Sequence, residues 1–155
     1  MGEVKRILEQ YDHALNGGAW HGDSVWEILG RVRPEQAFRR LSPITHSIWE
    51  LVAHISFWET EVFRRLKKLP APSEAELNFP KAPAATPDNW NRALAGLRKS
   101  NTDFRKCLAD LADSQLEEPL SAPDKTVYVE VHGVIQHNVY HAGQIALLAK
   151  VLRDK

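Results

Sequence analysis

The feature that most constrains the fold is an apolar repeat whose spacing alternates between four and three residues. Within residues 88–112 the repeat runs through Trp90, Leu94, Leu97, Phe104, Leu108 and Leu111, with Asn101 at the missing step. Within residues 127–152 it runs through Val127, Val131, Val134, Ile145, Leu148 and Leu152, with Asn138 and His141 at the two middle steps. This spacing is typical of the seam of a helix packed in a bundle. The two segments are therefore predicted to be long helices that pack along these seams.

Two more segments have helical periodicity. Residues 3–15 place Val4, Ile7, Leu8, Tyr11 and Leu15 on one stripe, and the stripe ends at Asn16, Gly17 and Gly18. Residues 47–68 begin with Ser47 and Glu50 in the spacing of a capping box. Short helical turns are predicted at 25–29 and after Pro34. The predicted fold is all-α, a four-helix bundle with short extra helical turns between helices one and two.

Prolines mark the connections between these helices. Residues 70–87 hold five of the nine prolines, and residues 113–126 hold Pro119 and Pro123. Proline lacks a backbone donor and breaks helices, so both segments are predicted to be loops. No strand pattern of any length is found. A chain of 155 residues with 43% hydrophobic residues fits one domain over 1–155.

The charge balance excludes some classes of partner. Lys plus Arg and Asp plus Glu both number 20, so the formal net charge is zero, which argues against nucleic-acid and membrane partners. The first ten residues contain no apolar signal core, and no apolar run approaches the roughly 20 residues that span a bilayer. Cys107 is the only cysteine, which fits a reducing compartment and a small core side chain. We expect a cytoplasmic protein.

Three of the seven histidines form a candidate site. His137 and His141 are four residues apart, so both imidazoles lie on one face of the last helix. His141 interrupts the apolar seam, and His54 lies between Leu51 and Trp58 on the apolar face of the second long helix. Because buried ring nitrogens need partners, two interpretations remain. Either the rings bind a metal ion, or they are core histidines bonded to side chains such as Asn138 and Gln144. The HExxH signature of zinc proteases is absent, since Asn138 follows His137.

Three stretches carry a family resemblance. HGVIQHNVYHAGQIALL at 132–148 resembles the last helix of the DinB-like metal-binding bundles, also called YfiT-like metalloenzymes. HSIWELVAHISFWE at 46–59 resembles their second helix, and WHG at 20–22 resembles a loop found in one branch of the family. The resemblance covers essentially the whole chain. It implies that His54, His137 and His141 bind a divalent metal ion, and it also implies a homodimer. The superfamily includes thiol transferases and isomerases that use low-molecular-weight thiols.

Three imidazole ligands would leave a coordination position open, which is the arrangement of a catalytic zinc site. We expect zinc, with nickel as the competitor. The predicted function is a metal-dependent enzyme, thiol transferase-like or hydrolase-like, that acts on a small molecule or a low-molecular-weight thiol, although no catalytic residue can be named. The alternative is a non-catalytic metal-binding module with a stress-response or carrier role.

The residues that orient the ligands are less well defined by the sequence. Five side chains lie within helical reach of the three histidines: Glu50, Glu61, Gln136, Asn138 and Gln144. Glu50 also has the competing role of capping-box partner. Tyr140, next to His141, is expected to face either the pocket or the core, and the core is favoured.

Overall fold

The computed structural model describes residues 2–70 and 78–153, and six α-helices are found there. Their bounds are α1 Glu3–Asn16, α2 Val25–Leu29, α3 Pro34–Ala37, α4 Ile48–Leu66, α5 Pro87–Ala109 and α6 Val127–Arg153. The four long helices, α1, α4, α5 and α6, form a bundle, and α2 and α3 are the short turns expected between the first two. The all-α prediction is confirmed.

The helix ends follow local chemistry. Ser47 precedes α4, and its hydroxyl accepts a hydrogen bond from the backbone N–H of Glu50 at 3.2 Å. The Glu50 carboxylate accepts the backbone N–H of Ser47 at 2.8 Å, so the predicted capping box is present. Helix α6 begins at Val127 although Val127, Tyr128 and Val129 favour strands. Glu118 and Leu116 accept the first two N–H groups of α6 through their carbonyl oxygens.

The connection between α5 and α6 differs from the prediction. It contains a short 3₁₀ turn, Asp113–Gln115, and an antiparallel hairpin of β1 Pro119–Ala122 with β2 Lys125–Thr126. The expectation that no strand would occur was therefore wrong. These strands have four and two residues, too few to produce a readable alternation in the sequence. The part of the predicted 70–87 loop that covers 71–77 lies outside the described residues.

The core holds one polar cluster that joins all four long helices. Glu59 of α4 is fully buried, and its Oε1 accepts hydrogen bonds from the Tyr11 hydroxyl at 2.8 Å and from Asn138 Nδ2 at 2.7 Å. Its Oε2 accepts hydrogen bonds from the Ser100 hydroxyl at 2.8 Å and from Asn101 Nδ2 at 2.5 Å. The four donors come from α1, α5 and α6, so this carboxyl group joins the bundle at its centre.

Apolar side chains from both seams form most of the remaining core. Cys107 is buried within it, as expected for a small core side chain. Helix α4 packs against both α5 and α6, which brings its histidine face towards α6. None of the helices described here combines the length and apolar character that a bilayer crossing requires.

Candidate metal centre

Helices α4 and α6 bring His54, His137 and His141 together. Each ring offers one nitrogen, and these nitrogens all lie within 4.8 Å of one another. His54 Nε2 and His137 Nε2 lie 3.0 Å apart. His54 and His141 are each 7% exposed, whereas His137 is half-buried. The three predicted site residues therefore form one cluster with a single more accessible member.

Two carbonyl groups orient the rings. The backbone oxygen of Asn78 lies 3.1 Å from His54 Nδ1, and Gln144 Oε1 lies 2.7 Å from His141 Nδ1. A carbonyl oxygen only accepts hydrogen bonds, so both Nδ1 atoms carry the proton. The Nε2 atoms of His54 and His141 consequently keep a bare lone pair, which is the form that binds a metal ion.

The electrostatics keep the rings neutral. Burial lowers the pKa of His54 and of His141, against the hydrogen bonds that raise it. Burial, with the neighbouring His141 and His54, lowers the pKa of His137 to about 4. At pH 7 the three rings are therefore uncharged, and a cation bound among them would meet no positive charge from the histidines. His137 Nδ1 is also buried and has no hydrogen-bond partner among the described residues. Three neutral imidazole nitrogens fit zinc, nickel, copper or iron.

An aromatic side chain covers one face of the cluster. Phe79 stacks between His54 and His46, with centroid distances of 4.0 Å to each and near-parallel planes. Neither Asn78 nor Phe79 was identified from the sequence. Both lie in the proline-rich connection, where no periodicity reports side-chain direction, and only the length of that loop hinted at a role.

The structure shows which of the five candidate orienting residues contacts a histidine of the cluster. Glu50 binds Ser47 and Arg40, and Glu61 binds Arg65. Asn138 donates to Glu59, and Gln136 is exposed. Of the five, Gln144 is the one whose side chain bonds to a histidine of the cluster within the described residues.

One core prediction near the cluster was wrong. Tyr140 is 64% exposed, although its ring still lies 4.9 Å from that of His141. Tyr140 lies about 100° from His141 around α6, outside the seam that runs through Asn138 and His141.

Clefts lie on several sides of the bundle. One of about 240 Å³ lies between α4 and α6 and reaches His137. Another of about 270 Å³ has Gln144 and His46 in its wall. A larger cleft of about 360 Å³, between α4 and α5, is lined by none of the three histidines. The volume of a cleft therefore does not identify the candidate metal site. The convergence of three ring nitrogens does.

Comparison with known families agrees with this geometry. A family model described as the DinB superfamily matches residues 19–145, which includes all three histidines. The chain belongs to the DinB superfamily. No curated protein and no solved structure gave a match. DinB superfamily membership and the histidine cluster together support a metal-binding site in this chain.

Proposed function

We propose that the protein binds one divalent ion, zinc in preference to nickel, through His54, His137 and His141, and acts as a metal-dependent enzyme on a small molecule. The observation that carries the proposal is the convergence of three neutral ring nitrogens within 4.8 Å. Two of the rings are held with their Nε2 lone pairs free by carbonyl acceptors, as ligating histidines usually are. Three protein ligands are typical of catalytic zinc, whereas structural zinc usually has four.

A bound zinc ion would supply Lewis acidity and would lower the pKa of a bound water molecule or thiol. The chain itself would do the positioning. The Asn78 carbonyl and the Phe79 ring hold His54, and Gln144 holds His141. The half-buried His137 lies where the cleft between α4 and α6 reaches the cluster, so a small molecule has a route to the site.

Metal content is the direct test of the site. Protein purified without a nickel resin, stripped with chelator and reloaded with zinc is expected to hold one ion per chain by elemental analysis. His137→Ala is expected to hold none after the same treatment, because two imidazoles bind zinc much more weakly than three. His13→Ala, which removes an exposed histidine of α1, is the matched control and is expected to keep the ion. Wild-type protein that takes up no metal would overturn the proposal.

Turnover separates the enzyme from a non-catalytic module. We expect zinc-loaded protein to accelerate transfer of a small thiol to an electrophile, and His141→Ala to return the rate to background. Turnover that needs no thiol would instead identify a hydrolase. A loaded protein inactive in both assays would support the stress-response or carrier alternative and contradict the enzymatic part of the proposal.

The role of Gln144 gives a further prediction. Gln144→Leu removes the acceptor for His141 Nδ1 and is expected to weaken zinc binding about tenfold, the lower end for lost orienting partners. The measurement is competition with a chromogenic chelator. Gln136→Leu, the same change at an exposed position of α6, serves as the control. Equal affinities for the two variants would show that Gln144 does not orient the ligand.

A homodimer, a cytoplasmic location and the lack of nucleic-acid and membrane partners stay predictions. The same is true of a single domain over 1–155.

A further inference from the structure

The cleft between α4 and α6 is lined by His137 and, over most of its length, by apolar side chains. The ring of Trp58 lies 6.4 Å from that of His137, centroid to centroid, and Val62 and Val134 are buried further along the cleft. Gly133 also contributes to the wall, and a Cβ atom built there meets nothing within 4 Å. A molecule that reaches the histidines through this cleft therefore lies along an apolar surface.

The charged groups at the far end of this cleft balance one another. Arg65 Nε donates to Glu61 at 3.1 Å, and Arg65 Nη1 donates to Glu130 at 2.9 Å. Lys125 is the other cationic residue in the wall, and the exposed Asp124 precedes it in the chain. The two cations therefore face the two carboxylates Glu61 and Glu130. These four groups sum to zero, so neither an anionic nor a cationic ligand meets an opposite charge in excess.

The N-terminus of α6, which lies at the same end, has acceptors for its first donors. Its first two backbone N–H groups donate to backbone carbonyl oxygens at 2.9 and 2.8 Å. The backbone N–H of Val129 donates to the Thr126 hydroxyl at 3.3 Å. Anions bind helix N-termini through N–H groups that lack such partners. The helix terminus therefore gives no reason to expect an anion in this cleft.

We propose that this cleft binds the uncharged, apolar part of a small molecule whose metal-binding head lies at the histidines. The substrate class is a neutral alkyl or aryl compound with one coordinating group. This inference deepens the proposed function and rests on it for the head alone. Removing apolar groups from water beside Val62, Val134 and the Trp58 ring is favourable, whereas placing an unpaired charge there costs free energy.

Hydroxamates with one zinc-binding head and alkyl bodies of increasing length test the apolar wall. Acetohydroxamate, butanohydroxamate and hexanohydroxamate differ by two methylene groups at each step. Calorimetry on zinc-loaded protein is expected to show affinity rising about tenfold at each step, because each buried methylene group contributes favourable transfer free energy. Equal affinities across the series would overturn the inference, because the alkyl body would then remain in water.

Two further probes test the preference for a neutral body. The monohydroxamate of hexanedioic acid carries a terminal carboxylate, and 6-aminohexanohydroxamate carries a terminal ammonium group. We expect both to bind about fivefold more weakly than hexanohydroxamate, because the far end of the cleft compensates neither charge. Tighter binding of either charged probe than of hexanohydroxamate would contradict the proposed substrate class.

A substitution in the wall separates the body from the head. Gly133→Leu is expected to weaken hexanohydroxamate about tenfold, because the new side chain occupies the space in which the alkyl body lies. The affinity for acetohydroxamate and the zinc content should stay unchanged. Gly143→Leu, at an exposed position of α6 that does not line the cleft and where an added Cβ also meets nothing within 4 Å, is the matched control. Equal losses in the two variants would overturn the inference.

Failure of the inference is distinguishable from failure of the proposed function. If zinc binds and the alkyl series is flat, only the apolar cleft is overturned. If no zinc binds, 1-hexanol tests the same cleft on the metal-free protein by two-dimensional NMR. Shifts of the Val62 and Val134 amide signals that Gly133→Leu abolishes would support the cleft, and no shift in the wild type would overturn it.

Discussion

Glu59→Ala is expected to lower the free energy of unfolding by about 4 kcal/mol, because it leaves buried donors without an acceptor. The Tyr11 and Ser100 hydroxyls have second acceptors, the carbonyl oxygens of Asn101 at 3.3 Å and of Leu97 at 3.0 Å. The amide groups of Asn101 and Asn138 do not, and each unpaired group costs about 1–3 kcal/mol. The melting temperature should fall by about 8–16 °C for a chain of this size.

Glu59→Gln is the matched control and is expected to cost much less. The glutamine oxygen can retain Ser100 and Asn101, and its amide group then faces Tyr11 and Asn138. Asn138 can rotate its amide to present Oδ1, an atom that has no partner in the described structure. Asn101 cannot rotate in this way, because its Oδ1 accepts the indole N–H of Trp26 at 3.0 Å. Equal losses for Glu59→Ala and Glu59→Gln would contradict this account of the cluster.

The difference in unfolding free energy between the wild type and Glu59→Gln is expected to depend on pH. Burial raises the pKa of Glu59, against the four hydrogen bonds that lower it. The native state then holds the proton more tightly than the unfolded chain, whose glutamates titrate near about 4.3. The stability that this proton contributes is fully present below the unfolded pKa and is lost as the pH rises through the folded pKa. The stability of the wild type relative to Glu59→Gln should therefore fall as the pH rises above about 4.3, and a flat difference would exclude the raised pKa.

Zinc is expected to produce the second large effect. At a hundredfold excess over its dissociation constant, an ion that binds only the native state adds about 2.7 kcal/mol to the free energy of unfolding. The melting temperature should rise by about 5–11 °C, and excess chelator should reverse the rise. Calorimetric melts of the stripped protein with and without zinc provide the measurement.

The histidine variants show whether this stabilisation comes from the cluster. His137→Ala should melt at one temperature with and without zinc, because it removes a ligand that α6 supplies. His13→Ala should keep the full zinc-dependent rise. If His137→Ala kept the rise, the ion would have to bind elsewhere on the chain.

The sequence predicts the elements whose formation depends on periodic burial. The seam through Leu97 and Leu108 identifies α5 because apolar side chains on one stripe must pack against a neighbour. His141 is identified as inward-facing for the same reason, since it occupies a seam position. The family resemblance around His54 predicts that α4 supplies the third histidine of the site. The DinB superfamily membership that this resemblance implied is confirmed.

What the sequence missed depends on the path of the chain in three dimensions. Asn78 and Phe79 reach His54 from an irregular segment, where spacing carries no directional information. A glutamate such as Glu59 is normally solvated, and it is buried here because three other helices supply donors. Asn101 and Asn138, the polar steps in two apolar seams, were the available signal for that cluster.

The hydrogen-bonded cluster around Glu59 also determines how accurately the proposed metal centre can be aligned. Glu59 lies about 7.5 Å beyond His54 along α4, and their partners Asn138 and His137 are adjacent on α6, so both cross-helix contacts join the same parts of the two helices. A slip of one residue along a helix axis is about 1.5 Å, whereas a metal site tolerates about 0.2 Å. The buried carboxyl group thus sets the relative height of the two helices that carry His54, His137 and His141. Tyr11 and Ser100, on helices that carry none of the three histidines, take part in the alignment on which the proposed coordination depends.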